Sequence, residues 1–249
     1  MKLAAESIRS RLHTRIVGKT LRCVDVCAST NDLAWKEALS GAPDGTAVFA
    51  EEQTLGRGRF GRTWVASRGK AVLTSVVLRP EIEADRVPLV TVAAALAAAE
   101  VVGDEARIRF PNDVMLGERK IAGILVEARF ISSRPDVFIV GIGLNVNAHP
   151  SDMNATSLGP DVSRVEVARS LLEALDGWYG RLGGPLREFR RAWRDRSFIL
   201  GRRVRVRQNG RSFTGVVEES DPIDGLVLRL DSGHPCTVRS EHVEHLEVL

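Results

Sequence analysis

The sequence is short of cysteine, aromatic residues and long apolar runs, and each shortage removes a class of protein. Its 249 residues hold three cysteines, Cys23, Cys27 and Cys236, too few and too scattered for a disulfide framework or a zinc site. They read as reduced structural thiols. The five histidines show no metal-ligand spacing, so no metal site built from protein side chains is expected. Aromatic residues make up 5% of the chain, and only Phe60 and Trp64 stand near its densest arginine cluster. That is a poor stacking platform for single-stranded nucleic acid. The longest apolar run, residues 89–102, is too short to span a bilayer. The N-terminus has no apolar signal-peptide core. A cytoplasmic protein without a membrane partner is expected. There are no internal repeats and no low-complexity tracts.

What remains is ordinary globular composition, 44% hydrophobic and 27% charged with a net charge of +3. The length suits one large domain or a large one with a small companion. The most distinctive stretch is residues 56–64, Gly-Arg-Gly-Arg-Phe-Gly-Arg-Thr-Trp, where Gly56, Gly58 and Gly61 alternate with Arg57, Arg59 and Arg62. Glycine lets backbone approach a ligand, and arginine offers a permanent charge in a planar fork matched to carboxylate or phosphate. A small anionic ligand fits such a loop. The glycines also satisfy the dinucleotide fingerprint, but that motif needs a following helix, and residues 62–70 are polar and broken by Gly69. A basic nucleic-acid patch and a plain solvated turn are the other readings of the loop.

The rest of the chain supplies alternating elements. Residues 1–20 begin helical, with Ile8 and Leu12 one turn apart, and 21–26 alternate as a strand. Ser29-Thr30-Asn31-Asp32 opens a helix to about Leu39, as an N-cap or as a ligand site at exposed helix N–H groups. Strands follow at 47–51 and 71–78, then an alanine-rich helix with Pro88 at its start and Gly103 at its end. A short strand at 107–110 stops at Pro111-Asn112-Asp113, which sets Asp113 at a strand end. Strands at 121–130 and 137–146 carry Gly123, which hints at a bulge or a close ligand approach, and Gly141 and Gly143, which lie on one sheet face and leave it bare for a ligand. After a loop at 149–159 come helices at 165–181 and 186–196, whose Trp178, Tyr179, Phe189 and Trp193 read as core. From 197 onward five short strands alternate with Asn-Gly, Asp-Gly and Asp-Ser-Gly turns. The expected fold is α+β: a mixed-sheet catalytic domain packed with helices over residues 1–196, then a small SH3-like β-barrel over 197–249.

Taken in order, Ser29-Thr30-Asn31, the 56–64 loop, Pro111-Asn112-Asp113, the run Lys120-Ile-Ala-Gly123-Ile-Leu-Val-Glu127 and the run Gly141-Ile-Gly143-Leu-Asn145-Val-Asn147 together resemble the biotin protein ligases. The resemblance implies a two-step reaction. Biotin and ATP, with Mg²⁺, form biotinyl-5′-AMP, and a lysine of a carboxylase biotin-carrier domain then takes the biotinyl group. It implies that Ser29, Thr30, Asn31 and Gln53 bind the ureido ring and that Gly141 and Gly143 accommodate the bicycle and valeryl chain. Arg57, Gly58, Arg59, Lys120 and Gly123 would complete the biotin site, and Arg57, Arg59, Arg62, Trp64, Lys120 and Asn145 would meet the adenylate. Lys120, Arg57 and Asp113 would be catalytic, with Asp113 orienting the incoming amine, and Mg²⁺ would be held by the nucleotide phosphates rather than by protein ligands. Where the family usually reads Lys-Trp-Pro-Asn-Asp, this chain has Arg109-Phe110-Pro111-Asn112-Asp113. Only residues 1–20 precede the first expected strand, too few for a helix-turn-helix domain, so no DNA partner is expected; a monomer or a homodimer would serve. The related lipoate ligases typically carry a Gly-Gly-Gly segment and a His-Asp pair, and neither is present.

Overall fold

The computed structural model describes residues 2–151 and 153–249. Met1, at the head of the expected first helix, and Asp152, inside the 149–159 loop, lie outside the described residues. The elements run α1 (Ala5–Arg9), β1 (Leu21–Cys27), α2 (Thr30–Leu39), β2 (Ala47–Gln53), β3 (Ala71–Leu78), α3 (Pro88–Val102), β4 (Ala106–Arg109), β5 (Asp113–Leu116), β6 (Arg119–Ile131), β7 (Arg134–Asn145), α4 (Arg164–Tyr179), α5 (Leu186–Asp195), β8 (Arg203–Gln208), β9 (Arg211–Asp221), β10 (Gly225–Leu230), β11 (Pro235–Val238) and β12 (Val243–Val248).

Seven strands form one mixed sheet in the order β1-β2-β3-β7-β6-β5-β4. The β1–β2 pair is parallel, with α2 as its crossover, and the remaining pairs are antiparallel. One face carries α2, whose Ala34 and Ala38 pack on Val48, Val77, Val137 and Ile139. The other face carries α3. Its alanines are buried on every side, because a helix apolar all round must be enclosed, here by the sheet below and α4 above. Trp178, Tyr179, Phe189 and Trp193 are buried as expected.

The five C-terminal strands form a separate antiparallel sheet in the order β11-β10-β9-β8-β12. It joins the large sheet through apolar packing: Val204, Val206, Val217, Leu226 and Leu228 belong to the same buried cluster as Leu96 and Ile124. Trp193 on α5 stands edge-on to Phe110 and donates its indole N–H to Ser220 Oγ at 2.9 Å, bridging the two sheets.

The N-terminus departs from expectation. The helix ends at Arg9, and Leu12 lies beyond it. The next backbone donors turn to carboxylates of α4 instead of continuing the helix. Asp176 accepts from the N–H groups of Arg15, Ile16 and Val17, and Glu173 from that of His13. No described helix is long and apolar enough to cross a membrane.

Candidate active site

The face of β7 expected to lie bare is instead covered by two side chains. A Cβ on Gly141 would collide with Asn31 Oδ1, and one on Gly143 would collide with the Trp64 indole. A Cβ on Gly123, the residue paired with Gly143 in β6, would fall 2.9 Å from Trp64 and 3.1 Å from Lys120 Nζ. The glycines therefore make room first for Asn31, Trp64 and Lys120, and the ligand space begins above them. That space is a cavity of about 680 Å³.

At one end of the cavity sits the start of α2. Ser29 caps the helix, its hydroxyl accepting from Asn31 N–H. Thr30 N–H and Thr30 Oγ1 both donate to Gln53 Oε1, at 2.7 and 3.0 Å. Ser75, buried in β3, reaches Asn31 Oδ1 at 2.6 Å and Thr30 Oγ1 at 2.7 Å. Asn31 Nδ2 donates to Glu127 Oε2 at 2.9 Å. Asn31 is thus held at both ends of its amide and cannot retreat. Gly141→Ala should therefore break that network and weaken binding of the ligand that enters the cavity at least tenfold, measured by titration; unchanged affinity would show that the amide does not shape the site.

At the other end stand Lys120, Asp113 and Arg109. Strict alternation would set Lys120 and Gly123 on opposite faces of β6. A bulge prevents this: Val114 pairs with Ala122 but Met115 with Lys120, leaving Ile121 as the extra residue. Ile121 and Ala122 both enter the core, and Lys120 and Gly123 share the cavity face. Backbone bonds bracket Lys120, its N–H to Asn154 O at 3.1 Å and its carbonyl to Thr156 N–H at 2.9 Å. Its ammonium lies 2.5 Å from Asp113 Oδ1 and 5.4 Å from the Trp64 ring centre. Asp113 Oδ2 accepts from Arg109 at 2.7 Å. Burial opposes ionisation of Asp113, but Lys120 and Arg109 outweigh it and hold the carboxyl below its ordinary value.

The three loop arginines diverge. Arg57 pairs with Asp32 at 2.7 Å and Glu127 at 3.2 Å. Arg59 donates to Ser240 O and Arg62 to Glu244 O, each at 2.7 Å, so the loop is tied down by the C-terminal segment. The loop itself is a tight hairpin. Phe60 and Gly61 both have positive φ, and Arg57 bridges Thr63. No α-helix follows it before Pro88, which disposes of the dinucleotide reading.

Ser29, Thr30, Asn31, Gln53, Arg57, Gly58, Arg59, Arg62, Trp64, Asp113, Lys120, Gly123, Gly141, Gly143 and Asn145 all line this single cavity. Asn145 donates to Thr156 O at 3.1 Å, while its own Oδ1 is buried without a partner, as is Trp64 Nε1. Buried polar atoms rarely stay unpaired, and both belong to residues that line the cavity. Sequence reasoning missed Ser75, Glu127 and the 154–156 segment. A Thr-Ser pair inside the apolar strand β3 was the available signal for Ser75. No group of His, Cys, Asp and Glu that could hold a metal ion occurs among the described residues.

Residues 23–145 match the model of the Biotin/lipoate A/B protein ligase family. The bifunctional ligase/repressor BirA of Bacillus subtilis is 32% identical over 247 residues, covering 93% of this chain and 76% of the relative. The biotin--[acetyl-CoA-carboxylase] ligase of Mycobacterium tuberculosis is 33% identical over 250 residues, covering 92% and 91%. The structure of a biotin protein ligase from Aquifex aeolicus in complex with biotin and ATP superimposes with a TM-score of 0.78 at 26% identity, covering 93% of this chain and 100% of the other.

Proposed function

Because the chain belongs to the biotin/lipoate A/B protein ligase family, and within it is a biotin ligase, we propose that it makes biotinyl-5′-AMP from biotin and ATP and then biotinylates one lysine of a carboxylase carrier domain. The observation that carries this reading is the position of Lys120. The bulge turns its ammonium onto the cavity face, beside the glycine floor and across from the polar start of α2.

In the first step a biotin carboxylate oxygen attacks the α-phosphorus of ATP, and pyrophosphate leaves. Two anions must be brought together, so fixed cations are required. Lys120 meets both as a point charge and stabilises the charge developing on phosphorus. Thr30, Gln53 and Ser29 address the ureido ring. Asn31 spends its amide on Ser75 and Glu127 and shapes that end of the cavity. Arg59 and Arg62, anchored to backbone carbonyls of the C-terminal segment, hold the loop over the site. Trp64 lies on the floor beneath that loop, and the covered site keeps water from the adenylate. A divalent cation would be carried by the phosphates of the nucleotide.

In the second step the carrier amine attacks the biotinyl carbonyl, AMP leaves, and the nitrogen loses a proton. Asp113 orients that amine. Residues 1–196 form the catalytic unit, and 197–249 form an SH3-like module that buttresses the loop. A cytoplasmic setting agrees with ATP as substrate and with three free cysteines.

The test is ATP–pyrophosphate exchange with biotin, lipoate and octanoate supplied separately. Exchange with biotin alone is expected. Exchange with lipoate alone would move the chain to the other branch of its family, and no exchange from folded protein would overturn the reading.

A further inference from the structure

Glu127 has no place in the reaction described above and does not stand on the cavity wall. It is nevertheless where the start of α2 and the root of the Gly/Arg loop meet. Glu127 lies on β6, two residues beyond Leu125 on the face that carries α2. Its Oε2 accepts from Asn31 Nδ2 at 2.9 Å and from Trp35 Nε1 at 3.1 Å, two side chains one turn apart on α2. Both of its oxygens also face Arg57 Nη2, at 3.2 and 3.3 Å. Arg57 is the first arginine of the loop, and Asp32 holds it from the other side at 2.7 Å.

Three donors from two elements converge on one carboxylate. A carboxylate offers acceptors to all three, whereas a carboxamide would turn an N–H group toward Arg57 and lose the charge that pairs with it. The location also sharpens the question of purpose. A negative charge beside a cavity that takes a carboxylic acid repels its ligand. Two such charges, Glu127 and Asp32, flank a single guanidinium. The arrangement makes sense if Arg57 is a strut that fixes where the loop leaves β2, and if the acids exist to hold it there.

We propose that Glu127 is a positioning residue for acid binding, locking the Asn31 amide and the Arg57 root of the loop into one geometry. The proposal rests on the biotin ligase reading. Glu127 touches neither Lys120 nor Asp113, so it governs occupancy of the site and leaves bond formation alone.

The experiment is biotin-dependent ATP–pyrophosphate exchange on the full chain, with KM and kcat determined separately for wild type, Glu127→Gln and Trp35→Phe. Glu127→Gln weakens a charge-assisted network and should raise the biotin KM about tenfold with kcat within about twofold. Trp35→Phe removes the third donor but leaves the carboxylate on Asn31 and Arg57, and its KM should stay at the wild-type value. An unchanged KM in Glu127→Gln, or a fall in kcat without a rise in KM, overturns the proposal. Equal rises in both variants also overturn it, because the cause would then be packing of α2. Exchange by the wild type is the internal check. Its absence removes this proposal together with the reading beneath it, whereas normal wild-type exchange with an indifferent Glu127→Gln removes this proposal alone.

Discussion

Lys120→Ala is expected to abolish biotin-dependent pyrophosphate exchange, by about 10³-fold or more, while the protein melts within a few degrees of wild type. The size of the loss follows from what the first step demands. Phosphoryl and nucleotidyl transfer leave a protein little covalent chemistry to do, so the acceleration comes from placing reactants and neutralising charge. Removing one preorganised donor at such a centre costs about 10²–10³-fold. Lys120 is expected to exceed that range, since it serves two anions at once. The loop arginines cannot replace it where they stand. Arg57 is bound to Asp32 and Glu127, while Arg59 and Arg62 are bound to the C-terminal segment. The fold should survive because the ammonium is partly exposed and the bulge is made by backbone. Asn154 O and Thr156 N–H bracket residue 120 whatever its side chain. The substitution leaves Asp113 with Arg109 as its remaining counter-ion. Near-normal exchange in a folded variant would remove Lys120 from the chemistry.

The architecture was legible wherever local pattern and tertiary need agreed. The alanine-rich run after Pro88 read as a helix ending at Gly103, and α3 forms there against the sheet, with α4 covering its other side. Ser29 read as an N-cap or as a ligand contact at the helix start, and its hydroxyl does cap α2. The order of motifs along the chain indicated one site, and one cavity does gather them. What stayed hidden depends on distance in sequence or on a single inserted residue. Period-two alternation sets Lys120 opposite Gly123; only the register shift between Val114 and Met115 reveals that they share a face. The anchoring of Arg59 on Ser240 spans most of the chain, and a backbone carbonyl leaves no trace in residue type. The glycine face read as empty because sequence shows which side chains are absent, not which neighbours move in. Asn31 and Trp64 fill it from α2 and from the loop. The short α1 failed for a related reason, since carboxylates of α4 compete for the donors that would have extended it.

Asp113→Asn should slow transfer of biotin from preformed adenylate to the carrier lysine about 10²-fold, and slow adenylate formation less than tenfold. The asymmetry comes from how the carboxylate is occupied. Its Oδ1 faces Lys120 and its Oδ2 faces Arg109, so before the reaction it has no free oxygen for an amine. On the proposed reading, Lys120 would turn to the phosphate of the adenylate and release Oδ1 for the incoming amine, so that completing the first step would open the site for the second. The two cations hold the carboxyl below its ordinary value, so Asp113 stays ionised through the neutral range and is a weak base. Its contribution is therefore orientation of the amine and stabilisation of the positive charge that grows on nitrogen, with the proton passing onward to solvent. Asparagine preserves the shape and one hydrogen-bond acceptor but not the charge, and it leaves Lys120 free to serve the first step. Single-turnover transfer from purified adenylate, set beside pyrophosphate exchange by the same variant, separates the two effects. Equal losses in both would mean that Asp113 acts only by holding Lys120. A transfer rate whose pH profile gains an acidic limb in the wild type and loses it in Asp113→Asn would mean that the carboxylate takes the proton itself.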